Sequence, residues 1–212
     1  MSAIKVRNVI ALFVFAILGT AGGRGTFPLA QAALETPQQG IETFLKTIRA
    51  MEFPVKDMNR HSQLAQEANG YLDLEALGKK ALEKHWDEAA PEDQKAFMEL
   101  LWSLIEYVAY PRSVSFLGNY EITYPEIKPA GNGFEVDSMV KQQAEGLEAK
   151  VVYHVYQRDG HWKIDDVVLD DVSISEDLKY QFDKIIADSK FAGLLDKMRE
   201  RLAQAKKENG IP

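Results

Sequence analysis

The feature that most constrains the fold is the segment from residue 148 to residue 186, where two strands, a tight turn and a helix follow one another. Residues 148–158 alternate between inward and outward positions around Tyr153, and strand-like residues resume at 162–172 after the pair Asp159-Gly160. Such a pair tolerates the positive φ angles of a two-residue hairpin turn. The sequence therefore predicts an antiparallel hairpin here.

A helix is predicted directly after this hairpin. The hydroxyl of Ser175 can cap it, and the carboxylates of Glu176 and Asp177 fall in the first turn, where the helix dipole favours negative charge. Leu178 and Phe182 then follow at helical spacing. A strand thus leads into a helix with only a short connection.

Two further strand-like segments precede the hairpin, at residues 120–127 and 134–142. Turn-forming residues separate all four segments, which favours an antiparallel meander. The predicted fold class is α+β: an antiparallel four-stranded sheet packed against helices, with a hydrophobic cavity between the two layers.

Helix starts are predicted at Thr36-Pro37, at Asp73 and at Pro91, because each carries capping or first-turn residues. A last amphipathic helix is predicted over residues 191–206, whereas the polar residues 56–69 are interpreted as a connector.

The helix over residues 97–110 is apolar over most of its circumference, because two apolar stripes run side by side along it. Such a helix needs cover on two sides: the sheet can supply one, and a ligand could supply the other. Pro111 should end or kink this helix, because proline lacks the backbone donor.

The first residues resemble an export signal. Lys5 and Arg7 precede 11 largely apolar residues at 9–19, and Ala30-Gln31-Ala32 provides a small-x-small cleavage site. We expect residues 1–32 to be a signal peptide and residues 33–212 a single domain.

Charge and cysteine content narrow the possible partners. The chain carries a formal net charge of −7, which opposes attraction to nucleic acid. It has no cysteine, so its stability outside the cytoplasm must come from packing. We expect no nucleic-acid partner, no metal and no cofactor, and we expect a monomer.

Several blocks resemble, in order, the MlaC or toluene-tolerance family of periplasmic carriers. The strongest lies in the hairpin and the helix after it: Asp159-Gly160-His161-Trp162-Lys163-Ile164-Asp165-Asp166-Val167, Val172-Ser173-Ile174, Tyr180-Gln181-Phe182 and Ile185. Weaker blocks are Tyr71-Leu72-Asp73, Trp86, Pro91-Glu92-Asp93-Gln94 and Phe191-Ala192-Gly193-Leu194-Leu195. The sequence departs from the family pattern at Asp171, where glycine is usual, and at 176–179.

This resemblance implies a non-enzymatic, periplasmic phospholipid-binding protein. It implies that the protein shuttles lipid between an inner-membrane ABC transporter complex and an outer-membrane lipoprotein complex, and so maintains outer-membrane lipid asymmetry.

The acyl chains are expected between the sheet and the helical region of residues 91–117. With this location, the residues expected to line the cavity are Phe97, Leu101, Leu104, Val108, Val114, Leu117, Val140, Val152, His154, Val167, Leu169 and Phe182. A strand register displaced by one residue would reverse the facing of the strand positions.

Two alternatives stay open. One is a carrier of another lipid, such as a hopanoid. The other is a secreted hydrolase that uses the aspartates at 165, 166, 170 and 171. Strand alternation separates Asp165 and Asp171 from Asp166 and Asp170, so the four could converge only at a bulge. For Asp166, a structural hydrogen bond is the default expectation.

Overall fold

The computed structural model describes residues 35–117, 120–142 and 148–211. A π-helical segment, Ile105–Ala109, joins two of its helices. The helices are α1 Pro37–Arg49, α2 Met58–Gly70, α3 Leu74–Leu82, α4 Lys84–Glu88, α5 Pro91–Leu104, α6 Tyr110–Leu117 and α7 Ile174–Glu208. The strands are β1 Tyr120–Ala130, β2 Gly133–Gln142, β3 Glu148–Arg158, β4 His161–Leu169 and β5 Val172–Ser173.

The strands form an antiparallel meander in the order β1-β2-β3-β4-β5. The α+β class is confirmed, but the sheet has five strands in place of the predicted four. The predicted long strand over 162–172 breaks at Asp170 and Asp171, which both have positive φ angles of 46° and 67°. These two residues turn the chain so that β5 pairs back onto β4.

The helix starts predicted at Thr36-Pro37, at Asp73 and at Pro91 are confirmed. At α1, the Gln39 N–H donates to Thr36 Oγ1 at 3.2 Å, and the Thr36 N–H donates to Gln39 Oε1 at 2.8 Å. This reciprocal pair satisfies two backbone donors that lack helical partners. Asp73 caps α3 by a single bond, in which its Oδ1 accepts the Ala76 N–H at 2.9 Å.

The cap predicted for α7 is wrong by two residues. The Glu176 N–H donates to Ser173 Oγ at 3.1 Å, so Ser173 caps this helix in place of Ser175. The Ser175 hydroxyl donates instead to Asp166.

One core, which we call the sheet cluster, lies between the sheet and the helices α1 and α2. Its buried members from the helices include Ile41, Phe44, Leu45, Ile48, Ala65 and Ala68, and those from the strands include Ile122, Val136, Val140, Val151, Tyr153, Val155, Ile164 and Val167. The opposite face of the sheet is polar: Lys150 Nζ lies 3.4 Å from Asp137 Oδ2, and His154 Nε2 lies 3.7 Å from Glu135 Oε1.

A second core, the helix cluster, joins α3, α5 and α7. Its buried members are Ala81, Leu82, Phe97, Leu101, Phe182, Leu194, Leu195 and Met198. The rings of Phe97 and Phe182 meet edge to face with centroids 5.6 Å apart. The protein therefore has two apolar cores, and α3 and α7 connect the helix cluster to strand β4.

The structure corrects three helix predictions. Residues 56–69, interpreted as a connector, are helical from Met58 onward, because helix α2 spans Met58–Gly70. The predicted helix through residue 110 changes at Ile105 from α-helical to π-helical hydrogen bonding. The predicted separation between the last two helices is a sharp break at Lys190, which has φ 63° and ψ 178° within α7.

Candidate functional site

An apolar pocket lies where the sheet cluster meets the helix layer. We call it the seam pocket; its cavity volume is about 30 Å³. Its lining is apolar except for two aspartates and one tyrosine. The lining residues are Phe44, Leu72, Leu74, Leu77, Ile105, Ala109, Tyr110, Ile164, Asp165, Asp166, Val167 and Ile174.

Strand β4 forms one wall of the seam pocket, and two different segments pair with its outer edge. Near its start, the Ile164 N–H donates to the Tyr71 carbonyl at 2.7 Å, and the Asp73 N–H donates to the Ile164 carbonyl at 2.8 Å. Near its end, Val168 and Leu169 pair with β5. The seam pocket lies against the stretch of β4 between these two pairings.

A β-bulge in β4 sets the direction of the two aspartates. His154 pairs with Asp166 and Val155 pairs with Ile164, so Asp165 is an extra residue without an opposite partner. Bulges re-aim side chains and occur often beside functional sites. Here the bulge places both Asp165 and Asp166 in the pocket lining, although simple alternation separates neighbouring residues.

The two aspartates have different environments. Asp166 is buried, and its carboxylate accepts hydrogen bonds from the Ser173 hydroxyl at 2.8 Å, the Ser175 hydroxyl at 2.5 Å and the Val167 N–H at 2.8 Å. The expected structural role of Asp166 is confirmed, because it joins β4 to the start of α7. Asp165 instead pairs with Lys80, with 2.7 Å between Oδ2 and Nζ.

The π-helical segment forms the opposite wall through Ile105 and Ala109. Its hydrogen bonding is wider than that of an α-helix, since the Tyr110 N–H donates to the Ile105 carbonyl. Pro111 has no N–H for the Tyr107 carbonyl four residues earlier. The Asn209 side-chain amide donates to that carbonyl at 2.9 Å, so the end of α7 satisfies the group that proline leaves open.

Polar contacts behind the π-helical segment hold it in place. His61 Nε2 lies 2.9 Å from Glu106 Oε1, and the His61 ring stacks on Tyr107. The Tyr110 hydroxyl donates to Asn69 Oδ1 at 2.5 Å. Burial, followed by the nearby Glu106 charge, raises the pKa of Tyr110 far above its usual range, so this hydroxyl stays a donor. Helix α2 thus positions a wall of the seam pocket.

The seam pocket contains only one of the twelve predicted lining residues, Val167. Phe97, Leu101 and Phe182 are buried within the helix cluster, and Leu104 packs against it. Val140 belongs to the sheet cluster, with Val114 and Leu169 packed against it. Val108 is half-buried in the π-helical segment, and the side chain of Leu117 lies outside the described residues.

Two predicted lining residues lie on the face of the sheet opposite the sheet cluster. Val151, Tyr153 and Val155 belong to the sheet cluster, so strand alternation turns Val152 and His154 to the polar face. His154 accordingly lies near Glu135. The sequence contains apolar residues at both parities in this strand, and alternation alone therefore did not determine its facing.

The pocket residues that the sequence did not single out come mostly from segments far apart in the chain. Helical spacing places Leu74 and Leu77 on one face of α3, and Phe44 lies on the apolar stripe of α1. The sequence gives no signal for the packing of these helices against Ile164 and Ile174. The apolar stripes could have identified the helix residues, but not the pocket that they line together.

The aspartates of the hydrolase alternative are dispersed. Asp165 pairs with Lys80, Asp166 caps α7, and Asp170 Oδ1 accepts the Lys150 N–H at 3.0 Å. Within the ranges that the structure describes, no group of three or more His, Asp or Glu side chains is placed to hold a metal ion. Nor does any helix in these ranges combine the length and apolar character needed to cross a bilayer.

The match that decides the family covers most of the chain. Residues 38–200 match the sequence model of the MlaC protein family. This chain belongs to the MlaC family. The match includes the two walls of the seam pocket, from α1 through the start of α7, so the pocket is part of the family domain.

A solved structure supports the fold of this MlaC family member. The chain resembles the phospholipid-binding protein from Ralstonia solanacearum, solved in complex with a phospholipid, with a TM-score of 0.65. The two are 22% identical, and the likeness covers 82% of this chain and 99% of the other. Comparison with curated proteins gives no match.

Proposed function

We propose that this protein is a phospholipid carrier that holds acyl chains in the seam pocket. The observation that carries the proposal is the position of this pocket: it is an apolar space at the edge of the sheet cluster, with Leu74 and Leu77 of α3 on its other side, and none of its lining residues belongs to the helix cluster. A space of this kind can enlarge when α3 moves away from β4 together with the helix cluster, which keeps its own packing.

The volume of the pocket supports this view of opening. Ligand pockets generally enclose about 300–1,000 Å³, whereas the cavity of the seam pocket measures only about 30 Å³. A lipid with two acyl chains needs more room, so loading requires the helix layer to separate from β4. Each 100 Å² of apolar surface that the lipid buries contributes about 2.5 kcal/mol, which offsets the cost of separation.

The π-helical segment is suited to this movement. π-helical turns occur frequently at functional sites, and they leave the backbone less regularly bonded than an α-helix. In this protein the segment is held from behind by His61 and Asn209, while Ile105 and Ala109 face the pocket. Membership of the MlaC family and the phospholipid bound to the protein from Ralstonia solanacearum support the same ligand class.

We further propose a periplasmic location, with export directed by residues 1–32, which lie outside the described residues. There the protein receives lipid from, or delivers it to, an inner-membrane ABC transporter complex and an outer-membrane lipoprotein complex. It acts as a monomer and without catalysis. The negative charge of the chain supports docking to proteins over direct adhesion to anionic bilayers.

Native mass spectrometry of protein expressed with its export signal tests this function. The expected species is the processed chain with one diacyl phospholipid bound. Bound hopanoid or another polycyclic lipid would replace the phospholipid proposal, and a chain that is always empty would overturn the carrier proposal.

A pair of matched substitutions tests the location of the acyl chains. Ala109→Phe fills the seam pocket and should lower lipid occupancy severalfold, because the ring takes volume that the ligand needs. Ala192→Phe adds the same ring at an exposed helix position and should leave occupancy unchanged. Equal occupancy in the two variants would place the lipid elsewhere.

A further inference from the structure

Asp165 lies at the mouth of the seam pocket and is the more exposed of the two aspartates in its lining. It is the extra residue of the β4 bulge, and its side chain is 24% exposed, whereas neighbouring Ile164 and Val167 are buried. A charged side chain is not needed to close an apolar pocket. Its position at the mouth instead suits contact with the polar end of an amphipathic ligand.

Lys80 stands beside Asp165 at the same mouth. It follows the lining residue Leu77 by three positions on α3, so both occupy one side of the helix. Its Nζ lies 2.7 Å from Asp165 Oδ2, and its side chain is 43% exposed. One positive and one negative group are thus fixed side by side where the seam pocket opens.

An ion pair this accessible to water contributes little to stability, so its members can change partners at little cost. A phosphate can replace Asp165 as the ion-pair partner of Lys80, and an ammonium group can replace Lys80 as the partner of Asp165. A headgroup that carries both charges gives each residue a new partner. An anionic headgroup without an ammonium engages Lys80 but leaves the Asp165 carboxylate unpaired beside a phosphate.

We infer that Lys80 and Asp165 form a headgroup site that selects zwitterionic phospholipids with a primary ammonium over anionic phospholipids. This inference rests on the proposed function, because it requires acyl chains in the seam pocket. Lys80 is the phosphate ligand, and Asp165 is the residue that determines headgroup preference.

The test measures which lipid the protein extracts from a defined mixture. Protein is incubated with vesicles of equal phosphatidylethanolamine and phosphatidylglycerol, both with dioleoyl chains, and the bound ratio is read by native mass spectrometry. Asp165→Asn should lower the ratio of ethanolamine to glycerol lipid about threefold, since the freed lysine then favours net negative charge. Lys80→Gln should raise that ratio about threefold, since the freed carboxylate repels the anionic lipid.

The pair Glu75 and Lys79 supplies the control. It lies on the same helix with 2.7 Å between Lys79 Nζ and Glu75 Oε1, and it is not part of the pocket lining. Glu75→Gln and Lys79→Gln make the same charge changes and should leave the ratio unchanged. Equal shifts in both pairs would mean that overall charge sets the preference, which overturns the site.

The outcomes separate this inference from the proposed function. If every variant carries lipid at the wild-type ratio, the headgroup site is wrong and the carrier function stands. If the wild-type protein extracts no lipid, both are wrong. Thermal unfolding followed by circular dichroism checks that each variant is folded. If either Asp165→Asn or Lys80→Gln does not fold, the direction in which the other variant shifts the lipid ratio tests the headgroup site.

Discussion

Asp166 shows how a buried charge is stabilised in this protein. The carboxylate lies next to the apolar seam pocket, yet four side-chain and backbone groups from β4, β5 and α7 donate to it. Burial of an ionised group is costly unless hydrogen bonds replace its water. The contacts of Asp166 therefore explain why an acidic residue is placed here without any need for catalysis.

Removing this carboxylate should be strongly destabilising. Asp166→Ala leaves the hydroxyls of Ser173 and Ser175 without their acceptor, and we expect the free energy of unfolding to fall by about 3 kcal/mol. Urea denaturation measures the change. Asp87→Ala, at an exposed position of α4, should alter stability by less than about 0.5 kcal/mol. A similar effect of both substitutions would contradict the structural role of Asp166.

Asp73 gives the protein a defined response to acid. Burial raises the pKa of its carboxyl group, but hydrogen bonds from the Tyr156 hydroxyl and the Ala76 N–H, with the Arg158 charge, outweigh burial and hold the pKa below its usual value. A carboxyl group whose pKa is lowered by folding stabilises the folded state above its unfolded pKa. That contribution is lost as the pH falls from about 4 through the folded pKa.

Comparison with Asp73→Asn measures this contribution. Asparagine also caps helices, so the variant should fold, but it has no carboxyl group to protonate. We expect the free energy of unfolding to decrease less steeply below about pH 4 in the variant than in the wild type. Parallel pH profiles from urea denaturation would show that Asp73 does not couple folding to protonation.

The break in α7 is a property of one backbone position. Lys190 adopts φ 63° and ψ 178°, a region that is favourable only for glycine. The two halves of α7 can thereby turn different residues toward the helix cluster, Phe182 before the break and Leu194 after it. The sequence predicts both halves as helices, but a lysine gives no local signal for the conformation that separates them.

Glycine substitutions should have opposite effects on stability at the break in α7 and in the regular helix before it. Lys190→Gly relieves the unfavourable backbone geometry and should raise the free energy of unfolding by about 1 kcal/mol. Lys184→Gly, at an exposed position of the regular helix, should lower it by about 1 kcal/mol. Chemical denaturation distinguishes the two cases, and a loss of stability in both would argue against a special conformation at Lys190.

Helix α2 illustrates a different limit of sequence interpretation. Its buried side consists of His61, Ala65 and Ala68, which are weakly apolar or polar. Hydrophobic periodicity therefore does not stand out, although Asp57 caps the helix through the N–H groups of Asn59 and Arg60. Small side chains allow α2 to approach α1 closely, and this packing stabilises the helix where periodicity is weak.

Across the molecule, the sequence predicts the fold better than the site. The Asp159-Gly160 turn, the helix caps and the meander depend on local chemistry, and they are confirmed in the structure. The pocket depends on the bulge at Asp165 and on the change to π-helical bonding at Ile105. Each changes which side chains face inward, and neither has a clear local signature.

The sequence predicts acyl chains beside α5. In the structure, Phe97 and Leu101 of this helix already form a packed core with α7. The long apolar surface of α5 is therefore explained by the second core, without a ligand. The space available to a ligand lies at the edge of the sheet cluster beside α3, at Phe44, Leu77 and Ile105. A ligand can enter there while the helix cluster keeps its packing.

Photocrosslinking with a phospholipid that carries a diazirine midway along one acyl chain tests this location most directly. After the lipid is loaded and irradiated, mass spectrometry of the digested protein identifies the attached residues. We predict attachment to the pocket lining, at Phe44, Leu77, Ile105 and Ala109. Attachment chiefly to the polar face of the sheet, around Lys150, Val152 and His154, would contradict the claim that acyl chains lie in the seam pocket.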